Sequence, residues 1–186
     1  THAAFCDLKE IASRSPILMC DHQSRDALNG FEQNSLNGAL LHGLAGHQAS
    51  IPESMAGYAR GARTFRRNSM PAAELSQWML EGIAGGLTPW WHCIGGVQED
   101  RRMLSTQTEV LSWHRDNERF LFDRTPIAPV GLLWSQENIE FFGQDEVHER
   151  VALPWRGMAL ALRDARIPFV PVHADHIGRD AASLSA

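Results

Sequence analysis

The stretch 84-AGGLTPWWHCIGG-96 carries the reading of the fold. Gly85-Gly86 closes a helix, because glycine enters the left-handed conformation that ends helices without a steric cost. Leu87–Ile94 is then a short, β-compatible apolar run that reads as a buried strand. Trp90, Trp91 and His92 stand where that strand runs out into a loop. In barrels of alternating strands and helices, that is the end at which chemistry is placed. Period-two alternation puts Trp90 and His92 on one face and Trp91 and Cys93 on the other. Only one of the two indoles is therefore expected to serve as a platform for a ligand.

Working outward, the same alternation of helix and strand continues in both directions. On the amino-terminal side, Ser69 reads as an N-cap and Pro71 as a first-turn residue of a helix that runs to about Ala84. Its apolar positions are Leu75, Trp78, Met79 and Ile83. Before it come a weak strand at Gln48–Pro52 and a helix at Glu32–Gly46, with Leu36, Leu40, Leu41 and Leu44 at helical spacing. The strand Pro16–Cys20 precedes these and ends in Asp21-His22, and Phe5–Ser13 is a short helix. On the carboxyl-terminal side, Thr106–Phe122 reads as an amphipathic helix with Val110, Leu111, Trp113, Phe120 and Leu121 inward. Pro126–Pro129 is the linker candidate. Val130–Trp134, a helix over Glu146–Ala165 that Pro154 should kink or split, and Ile167–His173 then form a strand–helix–strand unit with a parallel pair. The chain is thus α/β, in two parts that meet near Arg124 and Thr125.

Composition narrows the function classes. The net charge is -5, with 17 Lys and Arg against 22 Asp and Glu, and no concentrated basic surface that would mark a nucleic-acid partner. No run of eighteen apolar residues calls for a membrane span. Three cysteines, Cys6, Cys20 and Cys93, are too far apart for a zinc spacing and odd in number for a disulfide framework. No Gly-rich phosphate loop fits, since Gly82, Gly85 and Gly86 have the wrong register, so no cofactor and no metal are expected. His173-Ala174-Asp175-His176 carries ligand types, but reads as a polar loop at a strand end.

The candidate for chemistry is Glu53, at a strand end one strand before the paired tryptophans. A retaining glycosidase needs a carboxylate nucleophile about 5–5.5 Å from a second carboxyl that acts as acid and base. Asp21 and His22 could bind sugar hydroxyls or orient that carboxylate. Trp90 and Trp91 suit carbohydrate because an indole face packs on the apolar C–H face of a pyranose. Each has a plainer reading beside it: a solvated loop carboxylate, a polar cap on a buried strand, an aromatic patch of core.

Three segments, 82-GIAGGLTPWWHCIGGVQEDRR-102, 113-WHRDNERFLFDRTPIAPVGLLWSQENIEFFG-143 and 153-LPWRGMALALRDARIPFVPVHADHI-177, resemble bacterial proteins related to the family 42 β-galactosidases. That resemblance implies the last strands and helices of a (β/α)8 TIM barrel over residues 1–124. It implies, over residues 125–186, the first βαβ of a flavodoxin-like trimerisation domain similar to class I glutamine amidotransferases. The family's nucleophile lies at the end of the seventh barrel strand, and counting back from Trp90-Trp91 as the eighth assigns that position to Glu53 and the sixth strand end to Asp21. The acid/base Glu of the fourth strand then falls before Thr1, so the sequence is expected to be an internal piece of a longer chain. A carbohydrate substrate and a homotrimer are the implied partners. The turn after Glu53, 54-SMAGYARGART-64, departs from the Asn-rich, Trp-containing turn of that family. A degenerate barrel that binds sugar or serves assembly without hydrolysis is the alternative.

Overall fold

Leu75, Trp78, Met79, Gly82 and Ile83 are buried at the i, i+3, i+4, i+7, i+8 spacing of one helical face, and the helix that carries them organises the computed structural model. The structure describes residues 8–15, 17–21, 24–25, 30–46, 50–54, 58–59, 69–91, 99–180 and 184, with backbone only at 8–9, 24–25, 53–54 and 58–59. Along the chain run α1 (Leu8–Arg14), β1 (Ser24–Arg25), α2 (Glu32–Ala45), β2 (Pro52–Ser54), β3 (Tyr58–Ala59) and α3 (Ala72–Ala84). Then come β4 (Thr88–Trp90), α4 (Arg102–Asp116), α5 (Glu118–Leu121), β5 (Val130–Trp134), α6 (Leu153–Asp164), β6 (Phe169–His173) and α7 (Ile177–Asp180). The described strands form three parallel pairs, β1 with β3, β2 with β4, and β5 with β6. The protein is therefore mixed α/β with small parallel sheets. It divides into one unit of Ile17–His42 and His47–Arg124 and another of Thr1–Pro16, Gly43–Gly46 and Thr125–Ala186.

In the first unit, α3 is the crossover that lets β2 and β4 lie parallel. Its buried face joins Met103 and Val110 of α4, with Phe31, Met70, Trp91, Leu111 and Leu121 packed around them. A second cluster, Cys20, Ile51 and Leu87 with Leu41 against it, sits under the strands. α3 ends in a Schellman motif: Leu87 N–H donates to Gly82 O at 2.9 Å and Gly86 N–H to Ile83 O at 3.0 Å. Gly86 has φ +90, the left-handed value that the motif requires. Arg124 Nη2 also donates to Ile83 O at 2.5 Å, placing a cation at the negative end of the helix.

Two sequence expectations change here. α4 begins at Arg102, four residues before the expected Thr106, and its buried positions are Met103, Thr106, Gln107 and Val110. Trp113 and Phe120, expected inward, are 45% and 61% exposed. Trp113 and Phe120 stand off the face that meets α3, while Leu111 and Leu121 pack on it, and the helix breaks at Asn117. Ser69 caps a different helix from the one expected: its Oγ accepts from Met103 N–H of α4 at 3.1 Å, and Pro71 occupies the cap position of α3.

Asp100 completes this junction. Its carboxylate accepts from Arg102 Nη2 (2.7 Å) and Nε (3.0 Å), from Ser69 N–H (3.0 Å) and from Arg102 N–H (3.2 Å). The Arg102 side chain first, and then the Ser69 amide, hold the Asp100 carboxyl far below the usual carboxylate range. A carboxyl depressed in the fold stabilises it above its unfolded pKa of about 3.9 and loses that effect as pH falls toward the folded value. Asp100→Asn is therefore expected to lower the melting temperature at pH 7 and to narrow the gap from wild type as pH drops below about 4. Equal losses at pH 7 and pH 3 in thermal melts would rule this charge out as the source.

In the second unit, β5 and β6 pair in register from Val130 opposite Phe169 to Trp134 opposite His173. The chain between them passes through π-helical turns at Asn138–Gly143 and His148–Ala152, with a 3-10 turn at Gln144–Glu146 between them, then α6. Pro154, expected to kink or split a helix over Glu146–Ala165, lies in the first turn of α6, where the π-helical turn His148–Ala152 gives way to α-helix; the backbone stays helical through Ala152 and Leu153. Trp134 and Trp155 meet edge to face with centroids 5.4 Å apart. α6 also ends in a Schellman motif, with Ile167 N–H on Leu162 O and Arg166 N–H on Arg163 O, both at 2.9 Å. The left-handed residue there is Arg166, with φ 58, where glycine is the usual occupant. Arg166→Gly should stabilise this unit by about 0.5–1 kcal/mol by removing that strain. A denaturant midpoint that falls on this substitution would contradict it.

Candidate functional site

The candidate site is a row of strand ends. Cys20 N–H donates to Pro52 O at 3.0 Å, and Thr88 N–H donates to Ile51 O at 2.9 Å. These bonds, with the β2–β4 register Pro52–Thr88, Glu53–Pro89 and Ser54–Trp90, set three successive segments side by side. One residue past Cys20 and Pro52 come Asp21 and Glu53, and Trp90 closes β4. Residues 70 positions apart in sequence thus reach one edge through two helical crossovers. Glu53 is described by its backbone, in register with Pro89. Asp21 is exposed. His22 and His92 lie outside the described residues.

The two tryptophans separate. Trp90 is 45% exposed. Trp91 is half-buried and packs against the α3–α4 core. Leu87, two strand positions on either side of Pro89 from Trp91, is buried with Ile51 and Leu41. Alternation therefore divides β4 into a row of Leu87, Pro89 and Trp91, whose described ends pack into the two apolar clusters, and a row of Thr88 and Trp90.

What holds this edge in place is legible at the Gly85-Gly86 turn. A Cβ on Gly85 would lie 2.5 Å from Ser35 Cα and 2.5 Å from Ser35 O, so α2 approaches the turn backbone to backbone. Gly38 supplies the other half of that contact, since its own Cβ would fall 2.6 Å from Gly85 O. His42 Nε2 donates to Gly86 O at 2.9 Å, which fixes the proton on that nitrogen. Asn34, wholly buried, donates its amide to Trp78 O at 3.1 Å. These polar and glycine contacts position α2, and with it Leu41 beneath the strands. Sequence reasoning did not find them, because they join residues 44 to 50 positions apart that carry no shared motif.

Electrostatics near the row's helical support are set by His114 and Arg124. Burial lowers the His114 pKa, with Glu118 opposing and Arg124 adding to the shift. Its ring meets Phe122 edge to face at 5.9 Å. Among the described residues no group of three or more His, Cys, Asp or Glu side chains could hold a metal ion. None of the described helices is long and apolar enough to cross a membrane.

Comparison of the chain with protein-family models, with curated proteins and with solved structures found no match.

Proposed function

We propose that this chain is part of a retaining glycoside hydrolase of β-galactosidase type, in which Glu53 is the nucleophile. In this reading, residues 1–124 supply the sixth to eighth strands of a (β/α)8 barrel. Residues 125–186 open a flavodoxin-like, amidotransferase-like trimerisation domain, and the assembled protein is a homotrimer that acts on carbohydrate. The observation that carries the reading is the alignment of three segments: Asp21, Glu53 and Trp90 lie on or directly after consecutive, side-by-side segments joined by helical crossovers, with Glu53 in the middle of β2. A barrel places its reacting groups at that edge. In this reading the exposed indole of Trp90 is a sugar platform, the Glu53 carboxylate is the nucleophile, and Asp21 and His22 bind hydroxyl groups. Trp91 and His92, next in sequence, complete the substrate-binding set of this reading. In this reading the acid/base Glu is on the fourth barrel strand, which is not among the sixth to eighth that residues 1–124 supply.

One observation favours a second reading, a carbohydrate-binding module without hydrolysis. Glu53 stands in register with Pro89, the middle of the β4 row whose described ends, Leu87 and Trp91, pack into the apolar clusters. Hydrolysis of aryl β-galactosides by the intact protein, compared with Glu53→Gln, separates the two. Sugar binding by calorimetry with no turnover in either protein selects the binding module.

A further inference from the structure

At the end of β6 a histidine does the work of a helix cap. His173 is 4% exposed, and its Nδ1 accepts a hydrogen bond from Asp175 N–H at 3.3 Å, closing the turn Ala174–His176 that leads into α7. Serine, threonine, aspartate and asparagine fill that role elsewhere, and none of the four gains a positive charge in acid. Imidazole differs. It accepts at Nδ1 only while neutral, with its proton on Nε2; protonated, both ring nitrogens are donors and the Asp175 N–H faces another N–H.

The surroundings bear on the same proton. The His176 ring lies 5.4 Å from the His173 ring, at a tilt of 48°. Its Nδ1 approaches Gly43 O, a residue of the same unit, at 3.4 Å. One turn on, Arg179 pairs with Asp180, and its Nη2 also reaches Gly43 O at 3.1 Å. Asp175 lies between the two histidines in sequence. β5, which pairs with β6, carries no charged residue; Glu137 follows three positions after its end. Protonation of His173 would thus put a cation in a buried position beside a second imidazole.

We propose that His173 is a proton-sensitive latch that holds the segment 174–180 in place when neutral and releases it in acid. The sign follows from the acceptor role: the cap is present above the titration of His173 and lost below it. Hydrogen exchange of the Asp175 amide in the full chain reads it directly, after correction for intrinsic rates. Between pH 7.5 and pH 5, a span that crosses the ordinary histidine pKa of about 6.5, protection of that amide should fall at least about tenfold. His173→Asn keeps a side-chain acceptor that does not titrate, and should hold Asp175 protection constant over the same range. Long-range nitrogen–proton NMR spectra at pH 7.5 should show the His173 proton on Nε2. Constant Asp175 protection in wild type, the same pH dependence in His173→Asn, or an Nδ1–H tautomer at pH 7.5 would each overturn the latch.

Discussion

Glu53→Gln is expected to lower turnover of an aryl β-galactoside by the intact protein about 10³-fold or more, with the fold unchanged by circular dichroism. The amide keeps the shape of the carboxylate and loses its charge. A retaining mechanism needs that charge twice, to attack the anomeric carbon and to stabilise the oxocarbenium-like transition state on the way. The loss should therefore appear in kcat and in kcat/KM together. Glu53→Ala offers a sharper readout. Azide is small enough to enter the space left by the carboxylate, and should restore turnover of substrates with good leaving groups. The product expected is the glycosyl azide of inverted configuration, because azide attacks from the face that the carboxylate occupied. Unchanged turnover in Glu53→Gln would remove Glu53 from the chemistry. Turnover lost without azide rescue would make it a positioning residue.

Gly85→Ala should be the most damaging single methyl in the first unit, destabilising it by about 3 kcal/mol or more. The backbone angle is not the reason, since Gly85 has φ -75, open to any residue. The reason is space. The new Cβ would meet Ser35 Cα and O at 2.5 Å, and these are helix backbone atoms that cannot rotate aside. α2 would have to move off the turn, taking with it the Gly38 contact, the His42 hydrogen bond to Gly86 O and the Leu41 contact under the strands. Gly157→Ala, in the interior of α6 with nothing within 4 Å of the added methyl, is the natural control. It should stabilise by about 0.5–1 kcal/mol, the helix propensity difference between the two residues. Urea unfolding of the two variants decides between a steric and a propensity effect. A Gly85→Ala midpoint within error of wild type would mean that α2 does not approach the turn as described.

These predictions mark where local information runs out. The face of α3, with Leu75, Trp78, Met79 and Ile83, is written in period 3.6, and the Gly-Gly stop after it is a local steric signal that needs no tertiary partner. The parallel pairing of Val130–Trp134 with Phe169–His173 is equally legible, from the length of the crossover between them. Asp21 and Trp90 could be placed at the ends of their segments by counting elements, because each follows a short apolar run; Glu53, expected just after a strand ending at Pro52, stands in the middle of β2. The start of α4 could not. Its Arg102–Ser105 turn directly follows the polar run Gln98–Arg102, and Asp100 and Ser69, which cap it, act from outside any window of periodicity. Nor could the exposure of Trp113 and Phe120 be read, since hydrophobicity says that a side chain can be buried and not what is there to bury it.

By itself, then, the sequence determined the alternation of helices and strands, the parallel sense of their pairing and the chemical types that stand at the strand ends. These rest on local periodicity and on the steric demands of glycine and proline. The tertiary structure decided which side chains those ends share. It separated Trp90 from Trp91, closed α2 onto Gly85 through backbone contact, and made caps of Asp100 and His173. Each of these depends on which distant group comes within hydrogen-bond or van der Waals reach, and the order of residues along a chain does not encode that distance.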